Sequence, residues 1–226
     1  MEHPDPRTDE EKAASARLIN ARASLAEVKL AEYKETQKLA ALERDEVRIE
    51  YDSIKATDNR KRVYRLLGSV NTATCKAAID KMVRWHRIDP GCDITFVIDS
   101  PGGDIISGFH LFDQMLWLRR EGHHITTIAT GMAASMGGVL FQAGSERIMT
   151  PQASMLIHEA QFGTGGSFGQ VEDEVEYVRM LQDRILHILA ERSTLSKAQI
   201  KRKWARKNWW LMAEEAVKLG FADHVD

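Results

Sequence analysis

Ser135 lies in an uncharged stretch of small and apolar residues, Gly131–Gly138. Residues 125–130 before it predict a buried strand, and residues 138–144 after it predict a helix. A serine at such a turn presents its hydroxyl at a helix N-terminus, where backbone N–H groups and the helix dipole favour the negative charge that acyl transfer develops. The pattern is similar to a nucleophile elbow, with Ala133 in place of the first glycine. Serine is also a favoured helix N-cap, so the sequence leaves two interpretations of Ser135 open, a nucleophile and a helix cap.

His158 is the histidine best placed to activate such a serine. It stands 23 residues after Ser135 and ends an apolar segment, 155–157, that predicts a strand. Carboxyl ends of strands commonly carry catalytic groups in α/β folds. Imidazole, with an unperturbed pKa of about 6.5, can take the serine proton at neutral pH. The alternative is a hydrogen-bonded histidine at a sheet edge.

A third candidate segment is the loop Asp99–Asp104, which follows a predicted strand and precedes a predicted helix. Gly102 and Gly103 allow a ligand backbone to approach closely, with N–H groups free to point at it. A plain turn is the alternative. Phosphate binding is set aside, because the loop lacks the Lys-Ser/Thr ending of a P-loop and the three-glycine dinucleotide spacing.

The elements that must position these residues alternate between strands and helices. Apolar segments predict strands at 63–68, 94–98, 123–130, 147–149 and 154–158. Helical patterns lie at 72–85, 105–120, 138–144 and 170–192, from Ser196, and at 213–219. This alternation predicts an α/β fold with a parallel sheet and right-handed crossovers.

The front of the chain differs in composition. Residues 9–50 contain no glycine or proline and are rich in Ala, Glu, Lys and Leu, which predicts a long charged helix. Its apolar residues from Leu18 to Ile49 follow a heptad spacing that glutamates interrupt. The sequence therefore leaves two interpretations open, a self-associating helix and a solvated one. A break at 58–61 predicts an N-terminal helical extension, residues 1–57, before a second domain, residues 58–226.

Composition excludes several classes of function. The net charge of -2 gives no global case for nucleic-acid or membrane binding, and no uncharged run approaches the roughly 20 residues of a membrane span. Cys75 and Cys92 have no metal-ligand spacing and suit a reducing compartment. The first residues lack the apolar core of a signal peptide. We expect a soluble, cytoplasmic protein with no metal and no cofactor.

Four segments, in matching order and spacing, resemble the proteolytic subunit of the Clp protease, a family of crotonase-like serine peptidases. They are Phe96–Gly103, Gly131–Gly137, Met155–His158 and Leu211–Gly220. The resemblance covers about Val63 to Val225. It implies a crotonase-like fold of repeated β-β-α units with a handle, formed here by the glycine-rich 163–169 segment and the helix after it.

The resemblance also implies roles for particular residues. Ser135 is the nucleophile and His158 the general base. Backbone N–H groups of Gly102 and Met136 form the oxyanion hole. Substrate binds in an extended form beside three residues, Gly103, Asp104 and Ile105. The implied activity is endopeptidase cleavage of peptides or unfolded polypeptides inside a chamber of two heptameric rings, a tetradecamer served by a hexameric AAA+ unfoldase.

The chain departs from the family pattern at the third triad position. Asn208 aligns where the family has an aspartate, two residues before the aromatic Trp210. Asparagine can orient an imidazole but cannot stabilise the imidazolium with a full charge, so we expect reduced activity. A register slip offers Lys207 or Trp209, neither of them useful. A different acid from the handle helix is the other alternative: Glu172, Asp173 or Glu174.

The second departure is the length of chain before the first core strand. The family usually has a short N-terminal segment that helps to engage the unfoldase, whereas a helix of this length can line a pore or dock a partner. Two further functions therefore stay open: a catalytically weak structural ring subunit that pairs with an active paralogue, and a phage capsid maturation protease.

Overall fold

The computed structural model describes residues 8–226, with the backbone alone for Lys12, Ile19 and Glu50. Residues 1–7, where the expected extension begins and where the sequence predicts no signal peptide, lie outside the described residues. The chain divides into two compact units, the first through Ala56 and the second Thr57–Asp226. Within residues 8–226, no helix is long and apolar enough to cross a membrane.

The first unit is built from a single helix, α1 (Asp9–Arg60), of 52 residues, whose last four residues belong to the second unit. At 1.5 Å per residue the helix is about 78 Å long. It begins at a reciprocal cap, in which Glu11 N–H donates to Thr8 Oγ1 (3.3 Å) and Thr8 N–H donates to Glu11 Oε2 (2.7 Å). The predicted helix is confirmed and continues ten residues beyond the predicted end. Apolar side chains of its stripe are each more than half exposed: Leu18, Leu25, Val28, Leu39, Leu42 and Ile49.

The second unit alternates strands and helices. Its strands are β1 (Val63–Leu67), β2 (Ile94–Ser100), β3 (Ile125–Ala134), β4 (Glu146–Met149), β5 (Ser154–Ile157), β6 (Trp209–Met212) and β7 (His224–Val225). Its helices are α2 (Thr72–Ile88), α3 (Ile105–Arg120), α4 (Met136–Phe141), α5 (Phe168–Glu191), α6 (Lys197–Trp204) and α7 (Ala213–Lys218). The predicted α/β class is confirmed, and β6 and β7 are additions that the sequence did not predict.

The sheet is parallel in the order β1-β2-β3-β4-β7 and forks along β3. The first half of β3, Thr126–Ala129, pairs with β4. Its second half, Met132–Ala134, pairs in parallel with β5. Strand β6 then runs antiparallel to β5. The fork therefore brings the end of β5 next to the end of β3, where the candidate nucleophile follows.

The core around this fork is closely packed. Every residue of α4 is buried, and the core cluster includes Ala133 of β3 and Met155 of β5. Burying side chains of this kind contributes about 1.5–3 kcal/mol each for the larger aliphatic ones. Because close-packed interiors transmit strain and resist displacement, the turn between β3 and α4 is held from both sides.

Candidate active site

Ser135 is the residue between β3 and α4, and its backbone is strained. Its φ and ψ angles are 53° and −122°, a region that costs a non-glycine residue about 1–3 kcal/mol. The strand pair holds it there, because Ser135 N–H donates to Leu156 O at 2.8 Å. Although Ser135 stands at the N-cap position, its side chain makes no capping hydrogen bond. The N-cap alternative is therefore wrong, and the hydroxyl is available for chemistry.

Glycines of the loop between β2 and α3 pack directly against this turn. A Cβ atom on Gly102, at φ 92°, would lie 2.6 Å from Ser135 Cβ and 2.9 Å from Met136 N. A Cβ atom on Gly103, at φ 148°, would lie 2.1 Å from Val70 O. Any side chain at either position would displace backbone, so this segment is more than a plain turn.

The directions of the N–H groups in this loop decide which of them can face a ligand. Gly102 N–H, the predicted oxyanion donor, already donates to Ser100 Oγ at 3.1 Å. Asp104 N–H donates to Val70 O at 2.8 Å. Because N–H groups alternate sides along an extended chain, Gly103 N–H points away from Val70. Within residues 8–226 neither Gly103 N–H nor Met136 N–H has an acceptor.

A pocket of about 290 Å³ opens beside Ser135 and is also lined by His158, Gly103 and Met136. Its remaining walls are mostly aliphatic, from β5, α4 and α5. Of the three predicted substrate-binding residues, Gly103 and Ile105 line this pocket. Asp104 does not, because its carboxylate accepts from Ser107 N–H at 2.7 Å and caps α3.

His158 follows the last residue of β5 and is half-buried. Burial lowers the pKa of its imidazole below the usual 6.5, because desolvation disfavours the charged form. Neither ring nitrogen has a hydrogen-bond partner in the described part of the chain, so no described protein group competes for the imidazole. A neutral imidazole at pH 7 is the form that a general base requires.

Asn208 lies near His158, but within residues 8–226 the two side chains are not hydrogen-bonded to each other. Both residues line a second, more open cavity of about 360 Å³ that also includes Glu159 and Arg206. Asn208 is exposed, and among the described residues it forms no hydrogen bond with His158. The Glu159 carboxylate accepts a hydrogen bond from the backbone N–H of Arg206 at 3.3 Å. Among the residues that the structure describes, His158 therefore forms no ion pair or hydrogen bond with an acid.

The handle-helix acids proposed as alternatives lie elsewhere. Glu174 is hydrogen-bonded to Thr164 Oγ1 at 3.3 Å, and with Asp173 it lines a separate surface cavity on α5. Glu172, Asp173 and Glu174 are exposed, and none of these three described residues lines either cavity that contains His158.

Sequence reasoning missed the far wall of the pocket beside Ser135. Ile185 and Leu189 of α5 and Trp204 of α6 line it, and all three are buried. Their helical spacing was available in the sequence, but such spacing also describes ordinary core residues. No group of three or more His, Cys, Asp or Glu side chains within residues 8–226 is arranged to hold a metal ion.

A parallel sheet that presents a serine on a strained elbow, a histidine on the adjacent strand and free backbone N–H groups has the layout of acyl-transfer hydrolases. The family model for Clp protease matches residues 44–226. The ATP-dependent Clp protease proteolytic subunit 2 of Tropheryma whipplei (strain Twist) is 31% identical over 168 residues, which cover 74% of this chain and 91% of that protein. The chain belongs to the Clp protease family and is a peptidase with the crotonase-like fold of that family.

Proposed function

We propose that the chain is a serine endopeptidase that cleaves peptides or unfolded polypeptides through an acyl-enzyme. The observation that carries this proposal is Ser135, which sits at φ 53° with no capping bond and shares a pocket with His158. Family membership supports peptide-bond hydrolysis, and the elbow supports serine as the nucleophile.

The reaction follows from the positions of these groups. Ser135 Oγ attacks the scissile carbonyl while the neutral His158 imidazole accepts its proton. The same imidazole then gives that proton to the leaving amine, and a water repeats the sequence to release the acyl group. Lowering of the His158 pKa by burial keeps the base neutral, but burial also disfavours the imidazolium that forms in each transition state.

The oxyanion hole in this proposal is formed by Gly103 and Met136. Both N–H groups lack an acceptor within residues 8–226 and both residues line the pocket, whereas Gly102 N–H is engaged by Ser100. Gly102 then has a packing role, since only a residue without Cβ fits against Ser135. Two preorganised donors at the developing oxyanion are usually the largest electrostatic contribution to such a reaction.

The assembly in this proposal is a homo-oligomer of heptameric rings that encloses the active sites. Exposed apolar side chains on α5 support contacts between copies, with Phe168 79%, Tyr177 48% and Met180 53% exposed. Tyr177 and Met180, three residues apart, are neighbours on the helix surface, and exposed apolar patches are typical of interfaces. The Tropheryma whipplei relative is named ATP-dependent, and for this chain we assign that dependence to a hexameric ATPase partner.

A second candidate is a structural ring subunit of low activity that pairs with an active paralogue. The observation in its favour is Asn208, which is uncharged, exposed and not hydrogen-bonded to His158 in the described chain. A triad with asparagine in place of aspartate loses as much as about 10⁴-fold in kcat in a serine protease.

A fluorophosphonate probe separates the two candidates, because it labels only a serine that its own base activates. We expect purified full-length protein to be labelled at Ser135, as shown by mass spectrometry of the modified peptide. The matched controls are Ser135→Ala, which should remove labelling, and Ser154→Ala, which should leave it unchanged. Absence of labelling in the folded protein would contradict the endopeptidase hypothesis and favour the structural ring subunit.

A further inference from the structure

Helix α1 carries a stripe of exposed apolar side chains that keep a heptad spacing. With Leu18 counted as position a, the large apolar residues at positions a and d are Leu18, Leu25, Val28, Leu39, Leu42 and Ile49. Each of these side chains is 53–66% exposed. Positions a and d form the seam between two helices of a coiled coil. The stripe is therefore a surface that fits one further helix.

The seam pairs its apolar residues with one another when two copies of α1 run antiparallel. With Leu18 of one copy opposite Ile49 of the other, every large apolar seam residue faces another one. The further pairs are Leu25 with Leu42 and Val28 with Leu39. The apolar residues of the first half of the stripe thus match those of its second half.

Glutamates in the seam separate this arrangement from the others. In a parallel pair each seam residue faces its own copy, so Glu32, Glu35 and Glu46 all meet like charges. In the antiparallel pair Glu46 faces the small Ala21, and only the central Glu32 and Glu35 face each other. A shift by one heptad would place Glu32 against a large apolar side chain. Charged seam residues therefore fix the register, as polar seam residues do in coiled coils.

The charges beside the seam favour the same orientation. Basic residues at the flanking positions e and g precede acidic ones along the helix, and all are exposed: Arg17, Arg22, Lys29 and Lys38, then Glu43, Asp45 and Asp52. The antiparallel pair brings Arg22 next to Glu43 of the other copy. A parallel pair instead brings Arg22 next to Arg17. Charges at positions e and g set the orientation of coiled coils, so the flanks select the antiparallel pair.

We propose that α1 binds α1 of a second copy of this chain as an antiparallel coiled coil over residues 18–49. The paired segments are about 48 Å long and exceed the roughly three to four heptads that indicate a coiled coil. A half turn relates the two copies, and a seven-fold ring contains no half turn. In the proposed assembly the contact therefore joins copies from different rings and adds to the contacts within each ring. It does not depend on the proposed peptidase activity.

Cross-linking of introduced cysteines tests both the partner and the orientation in the full-length protein. The background is Cys92→Ser, in which the remaining Cys75 is buried, and the reagent is a bismaleimide with a short spacer. We expect Leu18→Cys/Ile49→Cys to give a cross-linked dimer on denaturing electrophoresis. Either single variant should stay monomeric, because the two copies of one position lie about 46 Å apart in the antiparallel pair.

Ala16→Cys/Tyr51→Cys is the matched control for this experiment. These exposed residues occupy position f, on the helix face opposite the seam, and lie at the same level as one another in the antiparallel pair. The control should give no dimer. A dimer of Leu18→Cys alone would indicate a parallel pair, and no dimer of Leu18→Cys/Ile49→Cys would indicate an unpaired helix. Either result overturns the inference.

Charge reversal is a second test, read as the rate of cross-linking of Leu18→Cys/Ile49→Cys at low salt. Adding Arg22→Glu places two acids side by side and should slow the reaction by about two- to fivefold, the range of exposed ion pairs. Adding Glu43→Arg to that protein should restore the rate. Residues 22 and 43 of one chain are about 32 Å apart, so restoration reports contact between copies. Faster cross-linking with Arg22→Glu alone, which a parallel pair predicts, would contradict the antiparallel orientation.

Discussion

At the scale of residues, the proposed nucleophile, Ser135, and the proposed base, His158, are positioned or tuned by different physical means. The Ser135 backbone is held at φ 53° by the strand pair and by Gly102 packed against it. His158 is prepared by burial, which lowers its pKa and leaves it neutral at pH 7. Its activity as a base should therefore persist below pH 6.5 and fall as pH drops through the lowered pKa.

Replacing Asn208 by aspartate should raise peptidase activity and move its pH dependence. A carboxylate facing His158 stabilises the imidazolium and raises the imidazole pKa, which opposes the effect of burial. We expect kcat to rise at least about tenfold, within the roughly 10⁴-fold span of such a change. The acid limb of kcat/KM should shift to higher pH in a peptide-hydrolysis profile.

Asn20→Asp adds the same charge on an exposed position of α1 and should change neither kcat nor the profile. Rates in Asn208→Asp equal to those of the unmodified protein would show that another group orients His158.

Much of the candidate site could be predicted from the sequence, because Ser135, His158 and the glycine loop lie at strand ends. The donor at Gly103 could not, since the direction of its N–H depends on pairing with Val70, a partner 33 residues away. The position of Trp204 in the pocket wall could not be predicted either, because apolar residues at helical spacing are typical of both pocket walls and ordinary cores.

At the scale of elements, the sequence predicted α3 with its observed bounds and most other elements to within a few residues. It missed β6 and β7. Strand β7 has two residues, too short for alternation to give a period, and the four residues of β6 are all apolar, a run that periodicity alone assigns to neither strand nor helix. Their pairing with β5 and β4 is decided by tertiary contacts rather than by local propensity.

The buried cation Arg147, which is 6% exposed, connects β4 with the C-terminal segment in addition to the pairing of β4 with β7. Its guanidinium pairs with the Asp223 carboxylate and donates to other buried acceptors, namely Gln142 Oε1 and the carbonyls of Arg192, Gly220 and Phe221. The same pairing lowers the pKa of Asp223, against the raising effect of its burial.

Arg147→Met should destabilise the protein by about 3–5 kcal/mol, because it leaves the Asp223 carboxylate and several carbonyls without their donor. The free energy of unfolding, from urea titration followed by tryptophan fluorescence, measures this loss. Arg179→Met removes a pair whose side chains are 72% and 68% exposed and should change stability by no more than about 1 kcal/mol. Similar losses in both variants would contradict the assignment of Arg147 as the main buried connection.

At the scale of the whole molecule, α1 is an unusually long helix with exposed apolar side chains. The family model begins at residue 44, within this helix. The division into an extension at 1–57 and a protease domain at 58–226 stays a prediction, as does the role of the helix in self-association or partner docking.

Deletion of residues 1–57 should leave the proposed oligomer and its peptidase activity intact, because the proposed catalytic residues and the sheet that positions them lie within Thr57–Asp226. Sedimentation velocity measures the assembly, and kcat/KM on a short peptide measures each site. Deletion of residues 1–43 is the matched control, since it retains every residue of the family match. A monomeric product from the longer deletion alone would place residues 44–57 in the subunit interface.

The fork in β3 has a mechanical consequence. Ala134 is paired with Leu156, Leu156 O accepts from Ser135 N–H, and His158 follows two residues later. The proposed nucleophile and base therefore each directly follow one of two hydrogen-bonded strands, which fixes their separation. Pulling them apart requires rupture of a strand pair inside the core, an event of the rare kind that amide hydrogen exchange reports over minutes to hours.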